Sequence, residues 1–145
     1  MKALVQRVVS ARVAVGDETV GEVGPGLCVL LGVAREDTVE DAARLADRVA
    51  RLRIFENGEG RFDRSVLDVG GEALVVSQFT LIADTAKGNR PSFSGAAQPE
   101  PAERHYEAFC AALRELGVEV ATGRFGARMA VELVNDGPVT IVIES

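Results

Sequence analysis

The chain has 145 residues, 47% of them hydrophobic, with a net charge of −6. That length suits one domain, 1–145, with a real core. The acidic balance argues against a protein that coats nucleic acid through phosphate contacts, and no run approaches the ~20 apolar residues of a membrane span.

Lys2 to Val15 holds two alternating stretches, and Gly16-Asp17-Glu18-Thr19 turns them into Val20 to Val23. That pattern predicts a hairpin. No apolar leader or cleavage site precedes it, so no signal peptide is expected. Gly24-Pro25-Gly26 breaks the chain. Leu27 to Val33 is almost wholly apolar, which predicts a strand buried on both faces.

Thr38 opens a helix, with Asp41 placed to complete a capping box. Ala42, Leu45, Ala46, Val49 and Leu52 keep helical spacing on one face. The other face carries Glu40, Arg44, Asp47 and Arg51 and reads as solvated. Ile54-Phe55 leads into a Gly-rich turn, Glu56 to Gly60, and then Arg61-Phe62.

Glu72 to Leu81 reads as a central strand, followed by a long Pro-, Gly- and Ser-rich loop over 83–101. Loops of that length in a compact domain are often functional. A second helix is expected from about Ala102 to Leu116, stopped by Gly117. Val118 to Ala121, Ala127 to Val134 and Val139 to Glu144 read as the last strands. The fold class is α+β: a largely antiparallel, barrel-like sheet with two main helices packed on it.

Little side-chain chemistry is available. His105, the one histidine, falls within the second helix and reads as a surface residue. Cys28 and Cys110 lie far apart in apolar patterns without CxxC spacing, so they read as buried thiols in a reducing compartment, not a disulfide or a metal site. No metal and no cofactor is expected. Gly21 to Gly26 is glycine-rich but lacks the dinucleotide pattern and its helix.

Two segments remain. Asn135-Asp136-Gly137-Pro138 sits between apolar runs, and by local rules it is a tight hairpin turn. A Gly-Pro bond is also one that can be cis, which would turn two carbonyls to one side. Ser77-Gln78-Phe79-Thr80 sets polar residues into an apolar strand. If the strand breaks there, its amides come free to stabilise the oxyanion of an ester's tetrahedral intermediate.

Together these two segments resemble the signature motifs of the D-aminoacyl-tRNA deacylases. The resemblance covers the whole chain, from Met1-Lys2-Ala3-Leu4 through Leu52-Arg53-Ile54-Phe55, Asp68-Val69-Gly70-Gly71-Glu72 and Thr122-Gly123-Arg124-Phe125-Gly126. It implies a cytoplasmic homodimer that hydrolyses the ester of D-aminoacyl-tRNA, and of glycyl-tRNA, without a metal or an acid–base side chain. Gln78, Phe79 and Thr80 would be catalytic. With Ser77 they would line the ester and the terminal adenosine, and Met129 would border the adenosine. Gly137 and Pro138, joined by a cis bond, would project their carbonyls into the partner subunit's pocket, with Arg7 holding that element. An L side chain would clash with those carbonyls, whereas a D side chain would escape.

Arg7 reads equally well as an ordinary sheet-edge charge, and Met129 as a core residue. Asn89 to Phe93 match a family segment of unassigned role. Two competing readings are a non-catalytic module that binds D-amino acids or tRNA 3′ ends, and an amidase or peptidase with Thr80 as nucleophile.

Overall fold

The computed structural model describes residues 1–145. Strand β1 (Lys2–Val15) is the spine. Its first half pairs with β3 (Gly26–Gly32) and its second half with β2 (Glu18–Val23), both antiparallel, along one edge. The opposite edge is taken along most of its length by β8 (Ala130–Glu144). Beyond β3 the sheet turns parallel, through β6 (Glu72–Ser77) and β7 (Glu119–Thr122). Long crossovers carrying helices make those parallel pairings possible. The sheet curls until β2 nears β7. At Gly21 a Cβ would stand 2.3 Å from the Thr122 carbonyl oxygen, so only glycine permits the near-closure.

Helix α1 (Val39–Arg51) starts as its sequence predicts. Asp41 N donates to Thr38 Oγ1 (3.2 Å) and Thr38 N to Asp41 Oδ2 (2.9 Å), a complete capping box. Ala42, Leu45, Ala46 and Val49 are fully buried. Burying the Leu45 side chain alone contributes roughly 2 kcal/mol.

The elements differ from the sequence expectation in several places. A two-stranded ribbon, β4 (Phe55–Glu56) with β5 (Phe62–Arg64), and a short helix α2 (Val66–Val69) follow α1. Ser65 and Asp68 cap α2 as a second capping box. The central strand stops at Ser77, not Leu81, and gives way to a 3-10 turn over Phe79–Leu81. The second long helix, α3 (Pro99–Leu116), begins at Pro99, where a missing N–H costs nothing. Finally, Asn135-Asp136-Gly137-Pro138 is not a hairpin turn. It lies inside the single strand β8, which bulges there and then resumes pairing with the same neighbour.

The sheet separates two cores. Ala3, Val5, Leu27, Val29, Leu31 and Val75 face α1 and α3 across a cluster of 24 buried residues. Val8, Val13, Cys28, Leu74 and Val76 point the other way, into a cluster of seven inside the curl. Successive residues of β3 and β6 thus feed opposite cores, which is why both strands read as nearly continuous apolar runs. Cys28 and Cys110 are both buried free thiols, each pushed up to about 11 by burial.

Candidate active site

The site forms where β6 ends. Leu31 and Ser77 make the last β3–β6 pair, and Gln78 N still donates to Leu31 O at 2.8 Å. The chain then tightens: Leu81 N donates to Gln78 O (3.2 Å) and Ile82 N to Phe79 O (2.9 Å). The hydrogen bonds of this turn begin at Leu81, so the Phe79 and Thr80 amides lie outside them, as first-turn amides do. Of the three backbone positions expected to be catalytic, Gln78 therefore has its amide committed to the sheet. Thr80 is exposed, and its hydroxyl oxygen accepts from Gln78 Nε2.

Beside this turn opens a cavity of about 540 Å³. Ser77, Gln78, Phe79 and Met129 all line it, together with Phe93 and Phe125. Phe79 is 56% exposed and packs edge-on against Phe93, with ring centroids 5.2 Å apart. Phe125 leans on Tyr106, whose hydroxyl donates to Val75 O at 2.7 Å. Small residues, among them Ala96, Ala97 and Ala102, leave the space open. No Asp, Glu, His, Cys, Lys, Arg or Tyr lines the cavity. Its polar groups are the Ser77 hydroxyl, the Gln78 and Gln98 amides, and backbone.

Thr80 follows Phe79 in the turn but does not line this cavity, and Arg7, Gly137 and Pro138 lie elsewhere, also outside its lining. Arg7 is only 7% exposed, so it is not a plain edge charge. Between the pairs Gln6–Thr140 and Val8–Asn135, Arg7 alone faces four β8 residues, 136 to 139. Its Nε donates to Asp136 O (2.8 Å) and its Nη1 to Ile54 O (2.7 Å). Asp136 and Glu56 add carboxylates at 3.4 and 3.7 Å, and the Phe62 ring centroid lies 5.6 Å from Arg7 Cζ. Asn135 Nδ2 closes the loop by donating to Arg7 O and Val139 O. Gly137 and Pro138 are left exposed, joined by a cis peptide bond. A Cβ at Gly137 would stand 2.3 Å from Val139 N, so the bulge closes only with glycine there.

Sequence reasoning left Phe125 without a role, although an aromatic between Gly123 and Gly126 is a usable signal of a loop ring held over a cavity. Glu56 and Phe62 gave no signal, because only the fold brings them to Arg7. His105, expected on the helix surface, is half-buried, and its Nδ1 has no hydrogen-bond partner.

The family model for D-Tyr-tRNA(Tyr) deacylase matches residues 4–144. A D-aminoacyl-tRNA deacylase of Roseiflexus sp. (strain RS-1) is 61% identical over 145 residues, covering 100% of this chain and 94% of that one. Its counterpart from Dinoroseobacter shibae is 62% identical over 144 residues, with 99% of each chain covered. Among solved structures, one titled c-Myc DNA Unwinding Element Binding Protein superposes with a TM-score of 0.95 at 44% identity, covering 100% of this chain and 99% of its own. A probable eukaryotic D-amino acid tRNA deacylase superposes at 0.83 with 18% identity, covering 99% of this chain and 98% of its own, and so shares the fold. With a family model spanning nearly its whole length and relatives above 60% identity, the chain belongs to the D-Tyr-tRNA(Tyr) deacylase family, a family of hydrolases.

Proposed function

We propose that this chain hydrolyses the ester between a D-amino acid, or glycine, and the 3′-terminal adenosine of tRNA, releasing free amino acid and tRNA in the cytoplasm. One observation carries the mechanism: the cavity beside Phe79 and Thr80 has no titratable side chain. An aminoacyl ester is already activated and needs neither protein nucleophile nor protein base. The Phe79 and Thr80 amides receive the oxyanion as water adds to the ester carbonyl. The neighbouring ribose 2′-hydroxyl assists that water, and the 3′ oxygen leaves with a proton. Ser77, Gln78 and Met129 border the ester and the adenosine.

Thr80→Ala tests this division of labour. The change leaves the residue-80 N–H in place, so kcat should stay within about tenfold of wild type. A nucleophilic hydroxyl would instead lose several orders of magnitude. Near-complete loss in a protein with an unchanged circular dichroism spectrum would assign the hydroxyl that role.

Selectivity comes from a second subunit. Gly137 and Pro138 are exposed and absent from the cavity of their own chain, which supports their delivery into the cavity of a partner. There, two carbonyls accept from the substrate's α-ammonium and occupy the space an L side chain needs. A C2 dimer makes two equal sites of this kind. Light scattering at assay concentration should give twice the mass of the chain, and a fully active monomer would rule the arrangement out.

One relative favours a second reading. The structure titled c-Myc DNA Unwinding Element Binding Protein shares 44% identity over the full chain, so a nucleic-acid-binding module without turnover is the alternative. Steady-state release of D-tyrosine from D-tyrosyl-tRNA decides between them.

A further inference from the structure

A cavity of about 540 Å³ has room for an aminoacylated nucleoside and not for the polynucleotide behind it. The rest of a polynucleotide must leave across the surface of a chain with net charge −6. A phosphodiester path over acidic surface is repulsive, so the exit must follow cations that carboxylates have not already neutralised. Seven of the fourteen arginines do not qualify. Arg7, Arg12, Arg44, Arg51, Arg53, Arg104 and Arg124 each pair with a carboxylate. Of the rest, Arg128 is exposed between the cavity residues Ala127 and Met129.

The loop beside the cavity differs. Asp84 and Ser92 exchange both backbone hydrogen bonds, at 2.8 and 2.9 Å, and pin the base of a tight loop. The next residue, Phe93, is in the cavity wall against Phe79. The tip of the loop carries Lys87 and Arg90, both exposed and neither in an ion pair. Asp84 is the only acid between residues 84 and 98, and its Oδ1 accepts from Ala86 N at 2.9 Å. At the other end of the segment Arg35 donates to Ser94 O, also without a carboxylate partner. A cationic loop therefore stands on the same aromatic pair that lines the cavity.

We propose that Lys87 and Arg90 contact the phosphodiesters immediately 5′ of the terminal adenosine, so that the 84–92 loop is the polynucleotide-contacting rim of the site. The proposal rests on the cavity taking an aminoacylated 3′ end, and it gives the strand a cationic exit across an acidic protein. The loop reads charge, not sequence, because a lysine and an arginine on phosphates carry no base information.

The test uses Lys87→Gln, Arg90→Gln and the double variant, all at exposed positions. A fluorescein-labelled single-stranded oligoribonucleotide ending in adenosine is titrated by anisotropy, which needs no turnover. Each single change should weaken binding on the order of 3- to 10-fold and lower the slope of log K against log salt by about 0.7. In turnover, the KM for D-tyrosyl-tRNA should rise by the same factor with kcat kept, and by more than the KM for D-tyrosyl-adenosine ester, which has no phosphate. Wild-type affinity and salt slope in the double variant would overturn the proposal, as would equal KM penalties on the two esters. A wild-type protein that binds the oligonucleotide with this salt dependence but turns over neither ester would defeat the hydrolase reading and leave the rim standing.

Discussion

Phe79→Pro is expected to lower kcat on the order of 10²–10³-fold below Phe79→Ala, the range found when one oxyanion donor is removed. The comparison isolates a single N–H. Both variants lose the aromatic ring and its contact with Phe93, but only proline loses the amide hydrogen. The backbone tolerates the change. Phe79 is the first residue of its 3-10 turn, a position that suits proline, and its amide donates to nothing within that turn. Gln78, at φ −141° and ψ 82°, lies outside the helical region that a following proline disfavours. Single-turnover hydrolysis of D-tyrosyl-tRNA by the two variants, with circular dichroism to check the fold, gives the result. Equal rates would remove residue 79 from the oxyanion hole.

Arg7→Ala is expected to destabilise the protein by about 3 kcal/mol, lowering Tm by roughly 10 °C. The guanidinium is nearly buried and donates to Ile54 O and Asp136 O. Truncation leaves the Ile54 carbonyl without its partner in a place water reaches poorly. The Asp136 carbonyl lies nearer solvent and loses less. Arg7→Lys should fall between, since one ammonium cannot span two carbonyls as a planar fork does. The same change frees the bulge that carries Gly137 and Pro138, so the ratio of D- to L-aminoacyl ester hydrolysis should fall along with Tm. A lower Tm with an unchanged ratio would reduce Arg7 to a brace for the sheet.

What the sequence made legible was local. Thr38 and Asp41 cap each other within one turn, so α1 was readable from a few residues. The two-faced burial of β3 followed from its unbroken apolar run, and the α+β architecture from the order of strands and helices. What it hid depended on distant partners. Asn135-Asp136-Gly137-Pro138 carries every mark of a hairpin turn, yet β1 runs straight past it and sets only Arg7 against the extra residues. The end of β6 was misplaced because Phe79 to Leu81 are as apolar as a strand. Which amides remain free there depends on Leu31, whose carbonyl takes the Gln78 N–H. Of Ser77, Gln78, Phe79, Thr80 and Met129, read from sequence as one site, all but Thr80 line one cavity, while Phe93 and Phe125 join them only through the fold.

The division of the interior by the sheet gives the protein two internal clocks. Cys28 belongs to the small core inside the curl and Cys110 to the large one under the helices. Both thiols are buried and held at about 11, so neither presents a thiolate to a labelling reagent while its core is shut. Native-state thiol exchange, followed separately at each cysteine, therefore times the opening of each core. If the curl breathes apart from the helical layer, Cys28 and Cys110 exchange at different rates in the same molecule; if the sheet holds both sides in one cooperative unit, they keep the same time.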